Sequence, residues 1–370
     1  MSKRADRFVA LLFALFLLLL FALNLYWPDK SFSDKENRYL QTIPSFSLPS
    51  LLRGEYMSKM EDYCADQFIL RDEWIALKAR LELLQGKQEN NGIFLCSGER
   101  LIEPMILPDI SALDRQIDTV NAFAESVDVP VVLGLVPTSA EIYRNLLPEG
   151  VRNDSQHDAI HYIYSRAQLP TADILGAMEA HCDDYIYYRT DHHWTSLGAR
   201  WGYAALADIW GVDASADYSA RIVSDSFCGT AWSSSGFFWV RPDTMEILVD
   251  DPGVTVERYD NASISLGKLY AEDMLDTKDK YRFFLGGNTP CAVIRTSRVD
   301  CPSLLIIRDS FADSLVPFLL RDHAQIHLLD LRYYRDSVQD YITKNDIDRV
   351  LILYSTSDFF SDNNLALLSR

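Results

Sequence analysis

Histidine is scarce in this chain, with 7 in 370 residues, and 35 basic side chains against 53 acidic ones leave a formal net charge of -18. A polyanion is bound by lysine and arginine that displace its counterions, so the deficit argues against nucleic acid as a partner. The six cysteines (Cys64, Cys96, Cys182, Cys228, Cys291, Cys301) include no C-x-x-C pair. In an exported chain they permit disulfides without demanding them. Cys291 and Cys301 are close enough in sequence to staple a loop, worth on the order of 2–3 kcal/mol if joined; the others suit small buried hydrophobes. Internal repeats are absent, as is low complexity outside one Leu/Phe-rich run. What the chain has in quantity is apolar residues, 48% of the total, enough to bury a full core.

Phe8 to Trp27 is almost uninterrupted apolar sequence, broken at Asn24. About 20 residues of helix reach roughly 30 Å, one bilayer core. Lys3, Arg4 and Arg7 precede the run, so the positive-inside bias keeps residues 1–7 in the cytoplasm, makes 8–27 a signal anchor, and exports everything that follows. A cleaved signal peptide is the rival, but the apolar run is long and no small-x-small cleavage site follows it. Residues 28–54, rich in Pro, Ser and charge, read as a juxtamembrane stalk.

Residues 55–84 carry apolar side chains at threes and fours, interrupted at Arg71-Asp72, which predicts two helices. Asn90-Asn91-Gly92 is a turn, and Ile93-Phe94-Leu95 with Ser97-Gly98 predicts a hairpin. Beyond it, helical patterns (111–127, 155–168, 196–210) alternate with extended ones: Val131–Val136, Tyr185–Tyr188, Phe283–Leu285, Leu304–Ile307, Gln325–Leu329 and Val350–Tyr354. Alternation of this kind predicts an α/β fold, a doubly wound parallel sheet with helices on both faces and its ligand site at the strands' carboxyl ends. The expected exported domain runs from 55 to 370, with residues 212–280 as an insertion covering the site.

Thr190-Asp191-His192-His193-Trp194-Thr195 concentrates a carboxylate and two imidazoles on the connection before the helix at 196. In extended backbone, side chains two apart share a side, which pairs Asp191 with His193. The carboxylate would fix the imidazole tautomer and stabilise the imidazolium formed when the other nitrogen takes a proton; a structural histidine bonded to a carboxylate gives the same pattern. Far downstream, Leu304–Ile307 breaks at Arg308-Asp309-Ser310-Phe311, which places Ser310 at a strand-to-helix turn. Asp191, His193 and Ser310 are therefore a candidate nucleophilic triad for acyl transfer. The competing role for Ser310 is a helix cap, since Ser310-Phe311-Ala312-Asp313 fits a capping box. Gly287 and Asn288 follow an apolar run and are candidates for an oxyanion hole, or for an ordinary turn. Trp194, Arg189 and Tyr188 are candidates to line a substrate cleft, the alternatives being core packing for Trp194 and a solvated strand end for the other two. Asn153 and Asn261 open short glycosylation sequons.

With these residues in view, the sequence resembles the DHHW family, named for the motif that here reads Asp191-His192-His193-Trp194. Supporting matches are Ser33–Leu40 (SDKENRYL), Asp66-Gln67-Phe68 with Arg71-Asp72, Phe284–Asn288 and Arg308–Phe311. That family is similar to the SGNH-like O-acetyltransferases that acetylate alginate and other exopolysaccharides outside the cytoplasm, in which an Asp-x-His-Trp motif and a later Ser-Phe supply the triad. The resemblance maps those roles onto Asp191, His193 and Ser310. It implies an SGNH-hydrolase-like fold, a polysaccharide acceptor, no cofactor, and an acyl donor delivered across the membrane by a multi-pass partner. His192 stands where the alginate proteins usually carry a small polar residue.

Two other classes compete with a serine acyltransferase or esterase. Asp-His-His also names metal-dependent phosphoesterases; His157 and His161 stand at helical i, i+4 spacing, but no upstream cluster of aspartates at strand ends supplies further ligands. The remaining class is a catalytically silent envelope protein that binds glycan, for which Ser310→Ala would change nothing.

Overall fold

The computed structural model describes residues 3–260 and 263–369. The chain divides into two compact units, one of Met1–Asn90 with Gly236–Trp239 and one of Asn91–Ser235 with Val240–Arg370. The first unit takes in the two helices after residue 55 together with the N-terminal segment.

In the first unit the apolar run forms helix α1 (Lys3–Tyr26), long and apolar enough to cross a membrane and with none of its residues buried. The stretch expected as a stalk carries a two-residue hairpin, Phe32–Ser33 with Arg38–Tyr39, and a short helix at Leu48–Leu52. Helices α2 (Glu55–Asp66) and α3 (Arg71–Leu84) follow. The motif residues of this unit hold one another. Arg38 donates to Asp66 (2.9 and 2.5 Å), Arg71 pairs with Glu36 at 2.8 Å, and Gln67 bonds the backbone of Lys30 and Gln41. Asn24, the one polar break in the span, accepts from the Ile69 amide at 2.8 Å.

The second unit is built on an eight-stranded sheet. In chain order its strands are β1 (Val131–Val136), β2 (Thr171–Ala172), β3 (Thr255–Asp260), β4 (Ser263–Lys268), β5 (Cys291–Arg295), β6 (Ser303–Arg308), β7 (Gln325–Leu329) and β8 (Arg349–Ser355), arranged β4-β3-β5-β7-β6-β8-β1-β2. The run β7-β6-β8-β1-β2 is parallel, and β5, β3 and β4 extend it antiparallel. Alternate residues feed two cores. Val132, Leu304, Ile306 and Leu351 join one, while Leu133, Leu305, Ile307 and Ile352 join the other. The strands read as continuous apolar runs because both faces are covered. Helices α4 (Ile110–Ser126), α5 (Gln156–Arg166), α6 (Ser196–Trp210), α7 (Ala312–Leu319), α8 (Val338–Lys344) and α9 (Thr356–Ser361) flank the sheet.

Three local expectations are corrected. Phe283–Leu285 is not a strand: Lys280–Phe283 is a 3-10 turn, Phe284 makes an isolated bridge to Tyr270, and the sheet strand begins at Cys291. Part of the expected excursion, β3 and β4, belongs to the sheet as its antiparallel edge. All six cysteines are free, so Cys291 and Cys301 form no staple; the Cys291 thiol lies 3.2 Å from the Tyr341 hydroxyl. Asn153 is engaged internally, its side-chain oxygen accepting from the Met105 amide and its NH₂ donating to the Ala140 carbonyl; Asn261 and Ala262 lie outside the described residues.

Candidate active site

Ser310 stands just beyond β6, on the turn into α7. Three groups shape this turn. The Asp309 carboxylate accepts from the Phe311 amide at 2.9 Å and from the Ser355 amide at 2.6 Å, tying it to the end of β8. Arg308, 1% exposed, donates to Asn288 Oδ1 and pairs with Asp313 at 2.9 Å. Tyr281 donates to the Ser310 carbonyl at 3.3 Å. The capping-box role is not the one adopted: the Asp313 amide bonds the carbonyl of Ser310, and the Ser310 hydroxyl lies 2.8 Å from His193 Nε2.

The Asp-His-His loop sits differently from its expected strand-to-helix connection. Tyr185–Tyr188 is extended but outside the sheet; it bridges back to Trp194 through Tyr188 N to His193 O and Thr195 N to Ile186 O. The loop is held from below by Asp243, wholly buried, which accepts from Thr190 N, Thr190 Oγ1, Arg189 Nε and the Tyr185 hydroxyl. Asp191 folds over its own backbone, one oxygen accepting from the His193 amide at 3.0 Å and lying 2.5 Å from His193 Nδ1. The other oxygen accepts from Thr230 N at 2.7 Å and Thr230 Oγ1 at 3.1 Å. That approach needs Gly229, where a Cβ would lie 2.1 Å from Asp191 Oδ2. Burial alone would push the Asp191 carboxyl up, but the two imidazoles, the His193 hydrogen bond and the Thr230 amide outweigh it and hold it well below the usual carboxylate range.

The three residues picked from sequence thus come together: Asp191 to His193 to Ser310 is a continuous path of 2.5 and 2.8 Å contacts. The His193 ring stacks on Tyr281, with centroids 3.7 Å apart, which leaves its two nitrogens on that line. His192 points away, with its side chain 47% exposed and its Nδ1 2.6 Å from Thr230 Oγ1.

Other sequence candidates land elsewhere. Trp194 is wholly buried and donates its indole N–H to the Phe311 carbonyl, so no face is left for a sugar. Tyr188 is 2% exposed and packs edge-on against Phe227. Arg189 is turned onto Asp243, the Pro242 carbonyl and Glu99. The contacts the structure gives Trp194, Tyr188 and Arg189 are with the loop and its support. Asn288 is exposed and its amide oxygen is fixed by Arg308 at 2.8 Å, leaving Nδ2 as the free donor of that group. Gly287 has φ +102, which only glycine adopts without strain. Thr230, Tyr281 and Asp243 were not singled out by sequence. Among the described residues, Asp191, His192 and His193 have ligand atoms within 4.8 Å of one another, a set able to meet a cation, although both Asp191 oxygens are already occupied by N–H and O–H donors.

A mostly parallel α/β sheet with a serine turn at its carboxyl edge and an Asp-His loop facing that serine defines the SGNH-like fold class. Within it the chain belongs to the DHHW protein family, which matches residues 111–329. The structure of a DHHW family protein from Eubacterium siraeum aligns with a TM-score of 0.65 at 25% identity, covering 75% of this chain and 95% of that one. Bacillus cereus PatB1, solved with a sulfonyl adduct, aligns with a TM-score of 0.63 at 19% identity over 75% of this chain and 100% of its own. A second PatB1 structure gives 0.62 at 19% identity, over 73% and 97%. No curated protein sequence matches the chain.

Proposed function

We propose that this chain is a membrane-anchored, extracytoplasmic O-acyltransferase or esterase acting on a cell-surface or exported polysaccharide, with Ser310 as nucleophile, His193 as general base and acid, and Asp191 as its orienting carboxylate. The observation that carries the reading is the path from Asp191 Oδ1 through His193 to Ser310 Oγ, at 2.5 and 2.8 Å. These lengths are those of charge-assisted and ordinary hydrogen bonds.

Ser310 Oγ attacks the acyl carbonyl carbon of a donor ester as its proton passes to His193 Nε2. Asp191, ionised at neutral pH, stabilises the imidazolium through Nδ1. The tetrahedral intermediate collapses, the donor oxygen leaves with the proton from His193, and an acyl-serine remains. A sugar hydroxyl or water then attacks that ester, His193 takes its proton, and Ser310 Oγ is expelled and reprotonated. Asn288 Nδ2, presented by the Gly287 turn, is the donor proposed for the oxyanion. Helix α1, with Lys3, Arg4 and Arg7 at its start, would fix the catalytic unit outside the membrane, and a multi-pass partner would bring the acyl donor across.

The test uses the full-length chain in detergent with 4-nitrophenyl acetate, comparing wild type with Ser310→Ala and His193→Ala. Both variants are expected to fall by orders of magnitude. Equal rates for all three proteins would refute the assignment.

A further inference from the structure

A cleft of about 430 Å³ opens beside the loop, its lining joining apolar Leu101, Pro104 and Ile106 to polar His192, Thr230 and Asp358. Ser310 and His193 do not line it, but His192 belongs to both places: it faces the cleft, and its ring centroid lies 3.9 Å from that of His193 and 6.0 Å from that of Phe311. This volume falls in the range of small-ligand sites, and an apolar wall with a few convergent polar groups is what such sites are made of.

Counting protons sets the tautomer of His192. Thr230 has one hydroxyl hydrogen and gives it to Asp191 Oδ2 at 3.1 Å. With that hydrogen placed on the carboxylate, which can only accept, the 2.6 Å contact between Thr230 Oγ1 and His192 Nδ1 takes its proton from the imidazole. In the neutral ring, Nε2 is left as an unprotonated acceptor. Asp358, about 38% exposed and only loosely paired with Arg332 at 3.8 Å, adds a second acceptor to the same cleft. Glu103 contributes a further carboxylate, and these acceptors, the apolar wall and the lack of lysine or arginine among the described lining residues fit a ligand that presents several hydroxyl donors and a C–H face.

We propose that this cleft is the acceptor subsite, that it takes a carbohydrate bearing vicinal hydroxyls, and that His192 is a positioning residue within it. The proposal rests on the acyl-serine reading above. His192 Nε2 accepts a hydrogen bond from the hydroxyl next to the reacting one and takes no proton in the reaction. The reacting oxygen bonds to the acyl carbon, its proton goes to His193 Nε2, and the bond to Ser310 Oγ breaks. Water has no second hydroxyl on an adjacent carbon, so the subsite favours transfer over hydrolysis.

The experiment supplies the full-length protein with 4-nitrophenyl acetate as donor and either cellotetraose or 1-propanol as acceptor, and measures the ratio of acetylated acceptor to free acetate. Wild type is expected to transfer to cellotetraose about tenfold more than to 1-propanol per hydroxyl, the scale of one ordinary hydrogen bond. His192→Ala is expected to erase that preference. His192→Gln, whose amide oxygen reaches the Nε2 position, should retain most of it, whereas His192→Lys, which can only donate, should not. Ile106→Asp, an exposed change on the apolar wall, should raise the KM for cellotetraose. Wild type without a preference, or His192→Ala that keeps it, overturns the subsite. Donor cleavage that survives Ser310→Ala overturns instead the reading on which it rests.

Discussion

The indole N–H of Trp194 donates to the backbone carbonyl of Phe311 at 3.0 Å, joining segments 117 residues apart. One of these residues follows His193 and the other follows Ser310, so this hydrogen bond ties the base's segment directly to the nucleophile's. Position in the fold, not contact with substrate, explains the tryptophan of the motif. Trp194→Phe keeps much of the packing and loses the bond. Stability should fall by about 1–2 kcal/mol, and ester cleavage should fall by about tenfold or more, since small misplacements at a reacting centre are costly. Urea unfolding beside 4-nitrophenyl acetate kinetics separates the two effects.

Asp191→Asn should preserve the fold and lower kcat by roughly 10³–10⁴, because an amide cannot stabilise the imidazolium. The measurement is single-turnover release of nitrophenol, with circular dichroism as the control for folding. A loss below tenfold would place the carboxylate outside the proposed chemistry.

Thr230→Val leaves the Thr230 amide on Asp191 but removes the hydroxyl that bonds Asp191 and His192. Ester cleavage should fall by about tenfold, as for the loss of one hydrogen bond to a charged group, with acceptor preference falling alongside. Thr230→Ser should restore both.

Asp313 and Asp191 pull the pH dependence of stability in opposite directions. Burial, partly offset by Arg308, pushes the Asp313 carboxyl up to about 6. The native state therefore takes up a proton before the unfolded chain does. The cost of the ionised form is full above about pH 6 and vanishes toward pH 4, a span of about 3 kcal/mol. Asp191 is held low, so its stabilising contribution is present above the ordinary carboxylate pKa and is lost as pH falls below it. Chemical denaturation of wild type and Asp313→Asn between pH 4 and 7 should give curves that converge at the acidic end; parallel curves would refute the shift.

A serine poised by His193 should react with phenylmethanesulfonyl fluoride. Mass spectrometry is expected to find the adduct on the peptide containing Ser310, and its yield should fall by at least about tenfold in His193→Ala. Metal analysis of the same preparation addresses the cation-binding capacity of Asp191, His192 and His193: stoichiometric zinc or manganese together with absence of the adduct would favour the phosphoesterase class.

The parallel strands were legible because β1, β6 and β8 are buried on both faces and leave unbroken apolar runs in the sequence. The antiparallel edge was not. Thr255–Asp260 mixes Glu257, Arg258 and Asp260 with partly exposed positions, so it has no such run, and the apolar Phe283–Leu285 reads as a strand although it forms none. Asp191 and His193 were readable from their spacing, and Ser310 from the break after β6. Thr230, Tyr281 and Asp243 were not, since each reaches the site from 29 to 53 residues away along the chain and carries no local pattern. For Trp194, Arg189 and Tyr188, adjacency to the motif suggests contact with substrate, whereas the contacts the structure gives them are with the loop's support.

At Gly229 the backbone passes so close to Asp191 that any β-carbon would collide with the carboxylate. A genetic screen would therefore score Gly229→Ala among loss-of-function alleles, although this residue has no side chain with which to take part in the reaction. The phenotype would trace to a displaced carboxylate, and a crystal structure of that allele would show the damage one residue away from Thr230 and none at Ser310.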